Sequence, residues 1–119
     1  MNFKRNQELG IDLVRIERFR EKKFTQNKSF YKKIFTDSEI AYCENFNDPY
    51  PHFAGKFALK EATQKSINKN MIFSNIETFY KNSKPRIRLK NSKEKYDFIT
   101  SVSHESEYAI AIVLSRKEN

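Results

Sequence analysis

At 119 residues, with 23 lysines and arginines against 15 acidic residues, the chain carries a net charge of +8. Hydrophobic residues make up 38% and charged ones 32%, the balance of a folded chain with one modest core, so a single domain over residues 1–119 is expected rather than disorder. No apolar run approaches the ~20 residues that span a bilayer. The polar start, Met1–Glu8, lacks the apolar stretch of a secretion signal, and the one cysteine, Cys43, cannot close an internal disulfide, which fits a reducing cytoplasm. The positive surface favours polyanionic partners: nucleic acid, membrane headgroups, phosphorylated cofactors or acidic proteins. A general lysine and asparagine bias explains the same charge, so charge alone names no partner.

Leu9–Val14 is a short apolar run interrupted by Gly10 and Asp12 and reads as a first strand. From Arg15 to Lys23 apolar residues fall at Ile16 and Phe19 among charges, the pattern of a short amphipathic helix. Thr36-Asp37-Ser38-Glu39 is a capping box that starts a helix at about residue 37, running to Asn45. Asn47-Asp48-Pro49-Tyr50-Pro51 is a loop whose two prolines oppose helix continuation. His52 to about Asn68 is the longest helix. Met71–Lys81 and Arg86–Lys90 alternate as strands around a turn at Asn82-Ser83-Lys84-Pro85, and Asp97–Ser103 with Tyr108–Ser115 form a closing hairpin around His104-Glu105-Ser106. The sum is an α+β domain, mainly antiparallel sheet with one long helix and shorter helices, in which phenylalanine (eleven residues, with no tryptophan) supplies much of the core.

Two carboxylates are out of place in that scheme. At about 100° per residue, Phe53, Ala54, Phe57 and Ala58 form an apolar arc on the long helix, and Glu61 falls in its middle with Lys65 one turn further. Lys56, Lys60, Thr63 and Gln64 fall on the opposite, polar side. A carboxylate on a buried face is costly unless it is paired or binds a metal. The plain alternative is an i,i+4 pair with Lys65, worth ~0.2–0.5 kcal/mol when exposed. Asp12 sits between Ile11 and Leu13, where aspartate is disfavoured; its plain alternative is a cap for the following helix. Two such carboxylates, one on a strand and one on a helix, suit a hard cation such as magnesium, which takes one or two protein carboxylates and fills its other positions with water and phosphate. His104, at the hairpin turn, is either a surface residue or a donor to a phosphate. With two glycines in the chain and no glycine-rich phosphate loop, P-loop and dinucleotide-binding folds are poor candidates.

Gly10-Ile11-Asp12-Leu13-Val14-Arg15-Ile16-Glu17-Arg18-Phe19 resembles the first signature of holo-acyl-carrier-protein synthases. Phe53-Ala54-Gly55-Lys56-Phe57-Ala58-Leu59-Lys60-Glu61-Ala62-Thr63-Gln64-Lys65 is similar to the second, and Ser101-Val102-Ser103-His104 with Tyr108-Ala109 to the third. Lys84-Pro85 falls where that family has Gly-Lys-Pro. The resemblance covers nearly the whole chain, in order, and implies the fold of the small phosphopantetheinyl transferases. It implies transfer of the 4′-phosphopantetheine arm of coenzyme A to a serine of apo acyl carrier protein, releasing adenosine 3′,5′-bisphosphate, in support of fatty acid and lipid biosynthesis in the cytoplasm.

By the same resemblance, Asp12 and Glu61 ligate Mg2+, and Lys65 sits by the diphosphate, either stabilising charge or helping to deprotonate the serine. Lys56, Phe57, Lys60, Lys84, Pro85 and His104 line the coenzyme A site, and Arg18 contacts the acidic helix of the carrier protein. Family members are typically homotrimers with active sites between subunits. Three departures bear on cofactor affinity: Ser66-Ile67-Asn68-Lys69-Asn70 replaces a glycine-containing turn, Ser83 stands before Lys-Pro where glycine is usual, and Lys56 replaces a common arginine, keeping charge without the bidentate fork. The rival from another class is a small basic nucleic-acid-binding protein using lysines on phosphates and aromatics on bases. Interleaved acidic residues and the lack of a recognition motif oppose it. A third possibility keeps the fold as a catalytically inactive carrier-binding module, which intact Asp12, Glu61 and Lys65 oppose.

Overall fold

The computed structural model describes residues 6–118; the polar start Met1–Arg5 lies outside them. The first strand, β1 (Gln7–Arg15), runs into one short turn of helix, α1 (Glu17–Arg20), and a 3-10 turn at Phe24–Gln26. Two helices follow, α2 (Lys28–Ile34) and α3 (Asp37–Glu44), then the long α4 (Tyr50–Ile67). A 3-10 turn at Phe73–Asn75 leads to the hairpin β2 (Ile76–Lys81) and β3 (Lys84–Leu89), and the chain closes with β4 (Tyr96–His104) and β5 (Tyr108–Lys117). Strand order is β1-β5-β4 in one antiparallel sheet and β2-β3 in a separate two-stranded one. No helix among the described residues is long and apolar enough to cross a membrane.

Local chemistry accounts for most boundaries. The capping box is complete: Glu39 N–H donates to Thr36 Oγ1 at 3.2 Å, and Thr36 N–H to Glu39 Oε1 at 2.8 Å. The prolines do not delay α4 to residue 52; it starts at Tyr50 with Pro51 in its first turn, where no backbone N–H is needed and the fixed φ suits a helix. It ends on Asn68 at φ 55°, the left-handed position that asparagine tolerates. The hairpin turn is Asn82-Ser83, at φ 53° and 64°, and both Lys84 and Pro85 belong to β3 rather than to the turn. The strand expected from Met71 begins only at Ile76 because residues 73–75 form the 3-10 turn.

Helix α2 is an addition that the sequence reading left unassigned. It buries Tyr31 and Ile34. Tyr31 lies among the rings of Phe19, Phe35 and Phe53, at centroid distances of 5.9, 6.1 and 4.7 Å, and its one hydroxyl proton is within reach of both Lys22 O and Phe19 O. These phenylalanines, with Phe57, are the aromatic heart of the core.

One expectation about α4 is overturned. Lys56, Lys60 and Thr63 are not on a polar outer side: they are 3%, 0% and 0% exposed. The helix packs on β1 and β5 along one side and on α3 and β2 along another, so it has almost no free face. Lys60 Nζ lies 2.8 Å from Glu39 Oε1 and donates to Phe73 O and Ile76 O. Lys56 Nζ donates to Thr78 O and Oγ1, while Thr78 gives its N–H and hydroxyl to Glu39 Oε2. The buried ammonium groups survive because Lys60 gives its three protons to oxygen acceptors and Lys56 gives two to Thr78 and faces the rings of Tyr42 and Tyr80.

Candidate active site

Alternation along β1 sends Gly10, Asp12 and Val14 toward α4 and Leu9, Ile11 and Leu13 outward. Gly10 sets how near the helix comes. A Cβ there would stand 1.9 Å from Ala62 O and 2.8 Å from Ser66 N, so only glycine lets the helix backbone rest on the strand. Glu61 and Lys65, one turn apart on α4, both reach Asp12 as a result. Lys65 Nζ donates to Asp12 Oδ1 at 3.1 Å and to Ile11 O at 3.0 Å. The Asp12 side chain is 11% exposed and that of Lys65 54%.

The Glu61 carboxyl is held above its ordinary pKa, first by burial and next by the Asp12 carboxylate within hydrogen-bonding reach, while Lys65 and Arg18 pull it down. Two carboxylates that repel one another across a partly wet cleft are a fit for a divalent cation. Among the described residues, no group of three or more His, Cys, Asp or Glu side chains forms a metal cluster. Asp12 and Glu61 offer two hard donors, as suits a cation that keeps water and phosphate for its other positions. A cavity of about 350 Å³ opens beside them, lined by Glu61, Gln64, Lys65, Asn68, Lys69 and Asn70. On the other side Arg18 covers the Phe57 ring at 5.3 Å, and both line a more apolar cavity of about 580 Å³ with Phe19, Lys22, Phe30 and Phe73.

The remaining residues singled out in the sequence gather elsewhere. His104 ends β4 and meets His52, in the first turn of α4, edge to face at 5.5 Å. Lys56 Nζ lies over the rings of Tyr42 and Tyr80, at 4.7 and 5.4 Å, and Tyr80 is the register partner of Pro85. Nine residues of helix, at about 1.5 Å each, separate His52 from Glu61. Within one chain the expected residues thus form two groups on different sides of α4: Asp12, Glu61 and Lys65 toward its C-terminal half, with Arg18 and Phe57 beside them, and Pro85 and His104 near its first turn, with the mid-helix Lys56 pointing toward Tyr42 and Tyr80. Lys84 opens β3 beside Pro85 and is exposed. Lys60 belongs to neither group, its ammonium being enclosed by Glu39 and two carbonyls. Burial lowers the pKa of Lys56 and of Lys60. His52 too is lowered, by burial and then by His104.

Sequence reasoning missed the aromatic surroundings of this second group, Tyr42, Phe46, His52 and Tyr80. Phe46 stacks on His52 at 3.6 Å. These residues come from α3, the following loop, α4 and β2, and no spacing in the chain announces such a gathering.

Residues 8–113 match the 4′-phosphopantetheinyl transferase superfamily. The chain belongs to that family. Among its relatives, the holo-[acyl-carrier-protein] synthase of Thermodesulfovibrio yellowstonii is 33% identical over 89% of this chain and 95% of its own length. That of Chlamydia muridarum is 34% identical over 93% and 95%. The Helicobacter pylori holo-[acyl-carrier-protein] synthase, solved with coenzyme A, superposes with a TM-score of 0.74 and 31% identity, covering 92% of this chain and 99% of that one. The Neisseria meningitidis synthase reaches a TM-score of 0.80 at 22% identity, covering 92% and 98%, a likeness of fold. The α+β phosphopantetheinyl transferase fold expected from the sequence is thus the one observed.

Proposed function

We infer that this family member is a holo-[acyl-carrier-protein] synthase, which moves the 4′-phosphopantetheine arm of coenzyme A onto a serine of apo acyl carrier protein. The observation that carries the reading is the meeting of Asp12, Glu61 and Lys65 beside a cavity, in a chain whose relatives over nearly their full length are synthases of this kind.

In the reaction the serine oxygen forms a bond to the β-phosphorus of coenzyme A, the bond from that phosphorus to the bridging oxygen breaks, and adenosine 3′,5′-bisphosphate leaves. The serine proton departs to a base. Such a transfer asks the protein for positioning and charge rather than for a covalent partner. Asp12 and Glu61 are the residues that would hold Mg2+, which when bound polarises the phosphoryl oxygens and neutralises the leaving group. Lys65 has three N–H donors, of which two are spent on Asp12 and Ile11 O. The third is free for a phosphate oxygen. Lys65 either stabilises charge on the diphosphate or helps to deprotonate the serine. Arg18, on the rim of the apolar cavity, suits the acidic surface of a carrier, and the net charge of +8 steers an acidic partner toward it.

The working form is a homotrimer with sites between subunits. Two features support this. The outer face of the β1-β5-β4 sheet exposes Leu9, Ile11, Leu13, Ile99, Ile110 and Ile112, at 40–70%, an apolar patch of the kind that marks an interface. Lys84, Pro85 and His104 also stand apart from Asp12 and Glu61 within one chain, and a neighbour's copy would bring the two groups to one ligand. Lys60 supports the coenzyme site from beneath rather than touching it. The cytoplasm, where coenzyme A and carrier proteins are made and Cys43 stays reduced, is the compartment.

The test is to incubate the protein with apo acyl carrier protein, coenzyme A and Mg2+, and to follow the carrier's mass with and without chelator. A gain of one phosphopantetheine arm that the chelator abolishes is the expected result. No gain with several carriers and metals, while the carrier still binds, would leave an inactive binding module. A salt-sensitive gel shift with single-stranded nucleic acid would instead revive the nucleic-acid reading.

A further inference from the structure

Lys69 stands between two cavities. One is the 350 Å³ space that it shares with Glu61 and Lys65; the other, of about 300 Å³, it shares with Glu94, Tyr96 and Lys117. Its backbone is fixed against the first. Asn68 turns left-handed at the end of α4, Lys69 N–H donates to Gln64 O at 3.2 Å, and Gln64 Nε2 donates across the loop to Met71 O at 2.6 Å. The side chain alone leans the other way, to Glu94 Oε2 at 2.5 Å.

Glu94 has more donors than it needs. Tyr96 OH donates to Oε2 at 2.6 Å, and Lys117 Nζ to Oε1 at 3.2 Å. Were Lys69 to leave, Glu94 would keep a cation and a hydroxyl, and being one-third exposed it would take water in the vacated direction. Exposed ion pairs of this sort are weak. A doubly charged diphosphate beside Lys65 outbids a single, already satisfied carboxylate for a flexible ammonium.

We propose that Lys69 is a phosphate-binding residue of the donor site, resting on Glu94 when the site is empty and swinging to the diphosphate of the bound nucleotide. This deepens the proposed function and rests on it, since the diphosphate is that of coenzyme A. The loop that in similar proteins contains glycines would then contribute a side-chain cation here, in compensation for a less open backbone.

The opposed roles of Lys69 and Glu94 give the test its sign. Coenzyme A is titrated calorimetrically, with Mg2+ at low salt, into the wild-type protein and into Lys69→Ala, Lys69→Arg and Glu94→Gln, with thermal midpoints recorded for each. The expected result is roughly 10-fold weaker binding for Lys69→Ala, near wild-type binding for Lys69→Arg, and binding about 3-fold tighter for Glu94→Gln, whose competing charge is gone. The Lys69→Ala deficit should shrink as salt is raised. If Lys69→Ala and Glu94→Gln weaken binding together with a common loss of stability, the pair is only a strap for the loop and the inference is overturned. It is equally overturned if wild type binds coenzyme A and neither variant differs from it. A wild-type protein that binds no coenzyme A would instead refute the proposed function, and this inference with it.

Discussion

Substituting Gly10 by alanine tests the contact on which the whole site is built. The added Cβ would lie 1.9 Å from Ala62 O, against the 3.0 Å below which such contacts are essentially never found. Strand and helix must therefore part by more than an ångström, and backbone on both sides leaves no flexible side chain to yield. The Lys65–Asp12 contact of 3.1 Å and the approach of Glu61 to Asp12 span the same gap, so the site opens as the packing fails. Overpacking of this kind costs about 3 kcal/mol, or a fall in Tm of about 10 °C for a domain of this size. Urea and thermal unfolding at fixed protomer concentration measure it, with carrier-protein transfer assayed on the same samples. Gly55 is the control, because its Cβ would meet Val102 Cγ2 at an ordinary 3.5 Å. Gly55→Ala in mid-helix should gain about 0.5–1 kcal/mol. A Gly10→Ala protein as stable and as active as wild type would refute the close-approach argument.

Four further outcomes follow from the same geometry. Glu39→Ala strands the buried Lys60 ammonium and two Thr78 donors, and should cost at least about 3 kcal/mol in chemical denaturation. Glu94 is held down to about 2 by Lys69, Tyr96 and Lys117; a depressed folded-state pKa contributes stability above the ordinary value of 4.5 that fades as pH falls toward about 2, so Glu94→Gln should flatten the Tm–pH curve in that window alone. Lys65→Arg, which keeps charge but cannot shed a proton, should retain most of kcat, whereas Lys65→Ala should lose about 10²–10³-fold; equal losses would assign Lys65 to proton transfer instead. Leu13→Asp, on the exposed apolar sheet face, should reduce the solution mass to the 14.2 kDa of one chain and abolish transfer, as measured by light scattering beside the mass assay.

The site was legible where a residue contradicted its local pattern. Asp12 in an apolar strand and Glu61 in an apolar arc were each ambiguous alone, and the structure joins them through Gly10, whose need for closeness no periodicity records. The capping box at Thr36 fixed the start of α3 because its bonds are local. Lys56 and Lys60 misled for the converse reason: a helical wheel assumes one wet face, but α4 is covered by the sheet on one side and by α3 and β2 on the other. Their acceptors, Glu39 and the carbonyls of residues 73, 76 and 78, are distant in sequence. Helix α2 did carry a signal, in Phe30, Tyr31, Ile34 and Phe35 at helical spacing, hidden among lysines. The strand expected from Met71 shortened because residues 73–75 turn to place a carbonyl on Lys60.

If the proposed function holds, Asp12 and Glu61 act as one unit at the phosphates of coenzyme A. Single-turnover transfer to apo acyl carrier protein, followed by mass for Asp12→Asn, Glu61→Gln and the double variant, tests it most directly. Each single variant should lose transfer by about 10³-fold or more while remaining folded, and the double variant should be scarcely worse, since groups that serve one ion are not additive. Transfer near the wild-type rate by either single variant would contradict it.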